Sequence, residues 1–93
     1  MPEEEPIRVR LPEGKQVLGI VEELLGASRF RVSCKDGHTR ICRIPGKFRK
    51  RANISVGDIV LVEPWDVESE EKGDILWIYT KTHANWLRQK GYI

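Results

Sequence analysis

Residues 28 to 42 read SRFRVSCKDGHTRIC, and this stretch constrains the fold more than any other in the chain. Apolar and polar side chains alternate on both sides of Asp36-Gly37. Alternation with a period of two is the signature of a half-buried strand, and Asp-Gly is a favoured pair for a two-residue type I′ turn. The pattern predicts an antiparallel hairpin in which Lys35 faces His38, Ser33 faces Arg40 and Arg31 faces Cys42. One face then carries Phe30, Val32, Cys34, Thr39 and Ile41 and suits a core; the other carries Arg29, Arg31, Ser33 and Arg40. A slip by one residue would set Arg40 beside Val32 on the core face, which is costly for an unpaired buried charge.

The flanking sequence extends this hairpin into a small all-β domain. In KQVLGIVEELLG, Leu18, Val21 and Leu25 could share a helical face, but the β-branched Val17, Ile20 and Val21 and the interior Gly19 favour a long, bent strand. Gly57-Asp58 closes a turn before a buried strand, Ile59 to Val62, with Pro64 near its end, and ILWIYT forms a fifth strand. HANWLRQKG has helical character, with Thr82 or His83 near its start and Gly91 placed as a C-cap. Residues 1–14, with prolines at 2, 6 and 12 and three consecutive glutamates, read as a flexible N-terminal arm; 15–81 form the barrel, and 82–93 a C-terminal helical segment. Five strands, with about fourteen irregular residues between the third and fourth, fit a five-stranded OB-fold barrel (S1-like), whose closure hides most sheet edges. An SH3-like barrel matches the strand count nearly as well, but its connection at the fourth strand is usually shorter.

Ninety-three residues make one domain. No stretch approaches the roughly 20 apolar residues of a membrane span. The acidic, prolyl start is neither a signal nor a transit peptide, and two cysteines without an export signal indicate free thiols in a reducing compartment. The expectation is a cytoplasmic monomer. Enzymatic constellations are poorly represented. His38 and His83 sit in no motif with a nucleophile, Asp36 and Asp58 read as turn residues, and neither phosphate-loop nor dinucleotide glycine spacing occurs. Neither an enzyme nor a cofactor is expected. Cys34, His38, Cys42 and His83 are suitable residue types for zinc, but the expected register sends the two cysteines to opposite faces, which excludes a shared metal or a disulfide. Cys34 then reads as a small core residue and Cys42 as partly exposed.

The net charge of +2 conceals its distribution. Residues 15–51 hold ten basic and three acidic residues, a balance of +7, while 1–14 stand at −2 and 52–93 at −3. Such a segment creates a local positive field that attracts a polyanion, whereas a merely solubilising charge would be spread evenly. Arg29, Arg31, Arg40, Arg43, Lys47, Arg49, Lys50 and Arg51 form one continuous cationic surface from the hairpin into the loop RIPGKFRKR. Guanidinium groups suit bidentate phosphate contacts and stacking on bases. A localisation signal in FRKR would leave the hairpin arginines unexplained. Among the aromatics, Trp77 and Tyr79 read as core, whereas Phe48, flanked by Lys47 and Arg49, either anchors the loop or stacks on a base.

CRIPGKFRKR, then ISVGDIVLVEPWD, then an acidic stretch ending KGDILWIY, resembles the archaeal translation initiation factor 1A family, homologous to bacterial initiation factor 1 and eukaryotic initiation factor 1A. The resemblance runs from about Arg8 to Tyr92. It implies an OB barrel with a helical appendage that binds the small ribosomal subunit in its aminoacyl-tRNA site, through ribosomal RNA. There it would block premature tRNA entry and help select initiator tRNA and start codon with other initiation factors. The eukaryotic form carries a longer basic N-terminal tail and an acidic C-terminal tail; the acidic start and the stop at Ile93 resemble the archaeal form. Asn53 departs from the pattern, where the family often has an aromatic residue. The acidic stretch 66–74 is expected to face away from RNA. Two rivals come from other classes. A general single-stranded RNA chaperone of cold-shock type would show several exposed aromatics on the second and third strands, where only Phe30 is available. A protein-interaction module would act through NWLRQKGYI and lose its partner on deletion of residues 83–93.

Overall fold

The computed structural model contains β1 (Val17–Gly26), β2 (Arg29–Cys34), β3 (Thr39–Arg43), β4 (Ile59–Pro64), β5 (Lys72–Ile78) and the helix α1 (Lys81–Gln89). The structure describes residues 9–46 and 54–93. The strands close into a barrel in the order β1-β2-β3-β5-β4. Neighbouring strands are antiparallel except β3 and β5, which run parallel where Ile41–Arg43 meet Lys72–Asp74. This is the five-stranded OB barrel with a short C-terminal helix that the sequence indicates.

β1 uses both its edges. Val17–Ile20 pair with β4, while Gly19–Gly26 pair with β2, with register shifts that take up Glu22 and Leu25. Each extra residue bends the strand, which lets one long segment serve two neighbours in a closed barrel. Gly19 has a second reason to lack a side chain: a Cβ there would lie 2.5 Å from Val32 Cγ1 and 3.2 Å from the Ser33 carbonyl oxygen.

Two apolar clusters follow from this geometry. Val21, Val32, Cys34, Cys42, Val60, Val62 and Ile75 fill the barrel, together with Ile44 and Ile54. Leu18, Ile59, Leu61 and Tyr79 lie on the outside and are covered by Ala84 and Leu87 of α1. β4 is therefore buried on both faces, which explains its unbroken apolar run. Val9 and Leu11 pack onto the second cluster, and the Tyr79 hydroxyl donates to the Arg10 carbonyl. Residues 9–11, read from sequence as part of a flexible arm, thus lie against the barrel; residues 1–8 fall outside the described residues.

The helix begins earlier than the sequence suggests. Thr80 is the N-cap, and its hydroxyl accepts from the His83 amide at 3.2 Å. Gly91 ends the helix as expected, at φ +85. The Gly91 amide donates to the Arg88 carbonyl and the Tyr92 amide to that of Leu87, the two bonds of a Schellman motif. Trp77 also departs from the expected core placement, being 43% exposed with the Arg10 guanidinium 5.6 Å from its ring centre. Leu61 pairs with Trp77 but Val62 with Ile75, so Leu76 is an extra residue and shifts the alternation of the strand.

The hairpin register is the main correction. Ser33 pairs with Thr39, Val32 with Arg40, Arg31 with Ile41, Phe30 with Cys42 and Arg29 with Arg43. Asp36-Gly37 does not form a two-residue turn. The Gly37 amide donates to the Cys34 carbonyl and the Cys34 amide to that of His38, so Lys35, Asp36 and Gly37 form a three-residue loop. Gly37, at φ +94, takes the left-handed position that such loops reserve for glycine. The two-residue turn lies instead between β1 and β2, where Ala27 and Ser28 both have positive φ, 52 and 60, inside the Gly26–Arg29 pair.

Candidate nucleic-acid interface

The altered register exchanges one arginine for another on the hairpin's outer face. With Arg40 turned inward, that face carries Arg29, Arg31 and Arg43, beside Ser33, Thr39 and Ile41. Arg29 stands directly opposite Arg43 in the ladder. Like charges at opposed positions destabilise a sheet, and an anion approaching Arg29 relieves the part of that cost its neighbours leave uncompensated. Arg31 is ion-paired with Glu23, its neighbour on β1, and Arg43 with Asp74 at 3.3 Å. Arg29 has no carboxylate partner among the described residues.

Arg40 is 3% exposed. Its two terminal nitrogens donate to the two oxygens of Asp36, at 3.0 and 2.8 Å, and its Nε donates to the Ser69 carbonyl at 2.6 Å. A bidentate carboxylate and a carbonyl together offset the desolvation that an unpaired charge would suffer there. The guanidinium pushes the Asp36 carboxyl below its ordinary value. Arg40 therefore ties the hairpin turn to the acidic stretch that follows β4, and the expected place for it on the exposed cationic surface is overturned.

Asp74 does not face away from the cationic surface. Its Oδ1 accepts from Arg43 Nε at 3.3 Å and from the indole Nε1 of Trp65 at 3.0 Å. The Arg43 guanidinium lies 4.7 Å from the Trp65 ring centre. Trp65 and Arg43 wall a cleft of about 290 Å³ that also touches Ala27, Arg29, Ile41, Cys42 and Lys72. The sequence gives Trp65, an aromatic near the last strands, no assigned role, and it expects Asp74 to face away with the rest of 66–74. The signal was the pairing of EPW with KGD, since Glu63 meets Asp74 and Pro64 meets Gly73 across β4 and β5.

Lys47, Phe48, Arg49, Lys50 and Arg51, together with Asn53, lie outside the described residues. The chain enters that segment after Ile44 and leaves it at Ile54, and both isoleucines belong to the barrel core. Cys34 and Cys42 share the core side of the hairpin, both buried, which corrects the opposite-face expectation for the pair and the partly exposed one for Cys42. Burial pushes the Cys42 thiol up to about 12 and raises that of Cys34. Among the described residues no group of three or more His, Cys, Asp or Glu is placed to hold a metal, and no helix is long and apolar enough to cross a membrane.

A closed barrel of this strand order, sealed by a helix and bearing arginines on the outer face of β2 and β3, defines a small OB-fold protein with a cationic face. The family model described as translation initiation factor 1A / IF-1 matches residues 6–93. Translation initiation factor 1A of Methanococcus aeolicus is 53% identical over 95 residues, covering 100% of this chain and 90% of its own. The same-named protein of Pyrococcus abyssi is 54% identical over 90 residues, covering 97% and 80%. The solution structure of the bacterial-type initiation factor 1 from the Wolbachia endosymbiont strain TRS of Brugia malayi superposes with a TM-score of 0.55 at 38% identity, over 72% of this chain and 79% of that one. The chain belongs to the translation initiation factor 1A / IF-1 family. Its relatives are named as initiation factors, not as enzymes.

Proposed function

We propose that this protein binds the small ribosomal subunit at the aminoacyl-tRNA site through ribosomal RNA, and there promotes selection of initiator tRNA and start codon together with other initiation factors. The observation that carries the reading is the opposed pair Arg29 and Arg43 on an exposed strand face. Arg29 lacks a carboxylate partner among the described residues, and the repulsion across the ladder is relieved by an anion. The contact surface comprises Arg29, Arg31 and Arg43 with Lys47, Phe48, Arg49, Lys50 and Arg51; the membership of the chain in an initiation-factor family supports the choice of ribosomal RNA as the polyanion. Phosphate contacts dominate affinity, because one fixed RNA site is recognised by shape with little reading of bases. Arg40 serves the surface indirectly, by fixing the turn beside it.

Co-sedimentation with isolated archaeal small and large subunits across a salt series tests this reading. The expected result is retention on the small subunit, weakening steeply as salt rises. Equal retention on both subunits would favour a general RNA binder.

A further inference from the structure

Arg43 differs from its neighbours in how it is held. The Arg43 guanidinium lies over the Trp65 indole, 4.7 Å from Cζ to the ring centre, and Asp74 accepts from its Nε at 3.3 Å. Asp74 is itself fixed by the Trp65 Nε1, at 3.0 Å. The ring contact and the hydrogen bond at Nε restrict the positions open to the guanidinium. They use one of its five donors and leave the terminal pair for a ligand. The Arg43 side chain is 58% exposed, so that pair is accessible. Arg40, by contrast, commits all three nitrogens to Asp36 and a carbonyl and is 3% exposed, so its remaining N–H groups do not face solvent.

We propose that Trp65 and Asp74 are positioning residues that hold Arg43 as a ready-made clamp for one RNA phosphate. The proposal rests on the RNA reading of this face and adds two residues to it that touch no RNA themselves. A flexible arginine loses rotamer freedom on gripping a phosphate, whereas one already stacked and tethered loses little. The carboxylate also lowers the cost of keeping Arg43 opposite Arg29 while the site is empty. Asp74 repels the incoming phosphate to some degree, but its contact is to Nε, which leaves the end-on edge between the two terminal nitrogens for the phosphate.

The test is a double-mutant cycle read by small-subunit co-sedimentation at several salt concentrations, with melting temperature as a folding control. Arg43→Ala is expected to flatten the log–log salt slope by about one unit. Trp65→Leu is expected to weaken binding about two- to fivefold, the size of a surface cation–π contact. On the Arg43→Ala background, Trp65→Leu should change nothing further. Trp65→Phe, which keeps a ring under the guanidinium, should restore most of the loss. A further loss from Trp65→Leu in the absence of Arg43 would make Trp65 a direct contact and overturn the proposal. Unchanged binding by Trp65→Leu alone, with Arg43→Ala still defective, would do the same and leave the RNA reading standing. If Arg43→Ala and Arg29→Ala both bind as the parent does, the RNA reading of this face falls with it.

Discussion

Replacing Arg40 by methionine should unfold the protein at a much lower temperature while leaving RNA binding close to normal in the cold. Methionine keeps most of the aliphatic volume but removes three hydrogen bonds, two to Asp36 and one to the Ser69 carbonyl. Breaking a buried ion pair by removing one partner costs about 3–5 kcal/mol. Asp36 remains 32% exposed and regains some hydration, which places the loss near the lower end, about 3 kcal/mol. For a domain of this size each kcal/mol moves the midpoint by about 4–8 °C, so the expected shift is about 12–24 °C. Thermal unfolding followed by circular dichroism measures it, and co-sedimentation with small subunits well below the midpoint measures binding. A variant that melts like the parent yet loses binding would refute the reasoning. It would return Arg40 to the phosphate-contacting surface where sequence periodicity alone puts it.

Three further expectations follow from the same packing. Because Asp36 has a lower pKa folded than unfolded, its contribution to stability is complete above the ordinary carboxyl value of 3.8 and disappears as pH falls through the folded value. Asp36→Asn should therefore flatten the acid limb of the stability–pH curve, which urea titrations at stepped pH would report. Gly19→Ala should destabilise by about 1–3 kcal/mol through overpacking against Val32, whereas Gly46→Ala, with no atom of the described residues beyond its chain neighbours within 4 Å of the new Cβ, should be nearly neutral in the same denaturation assay. Cys34 and Cys42, buried and with raised thiol pKa values, should resist iodoacetamide at neutral pH and become labelled only along the unfolding transition.

The barrel is legible in the sequence because its signals are local. Alternation in β2 and β3, the apolar run of β4 and the glycine in β1 each report the environment of their own strand. The register of the β2–β3 hairpin is not local. Asp36-Gly37 suits both a two-residue turn and the three-residue loop that forms, and the first makes the tidier amphipathic pattern. The observed loop is stabilised by Arg40 reaching its own turn residue, Asp36, and a carbonyl 29 residues further on. No window around the hairpin contains Ser69. The same slip buries Cys42 and brings Arg43 to the outer face. The cationic character of that face survived the error because arginines occur at both odd and even positions of the segment. The contact between Trp65 and Asp74 is hidden from the sequence for a related reason. They are nine residues apart in an acidic, loop-like stretch and meet only because β4 and β5 pair.

In the proposed function, phosphate contacts from the outer face of β2 and β3 and from the basic residues 47–51 hold the protein on the small subunit. The most direct test of this claim is the salt dependence of small-subunit affinity for the parent and for the Arg49→Ala/Arg51→Ala double variant. Two lost phosphate contacts should flatten the slope of log K against log salt by about two units, with the melting temperature nearly unchanged. An identical slope and affinity for the two proteins at moderate salt would contradict it.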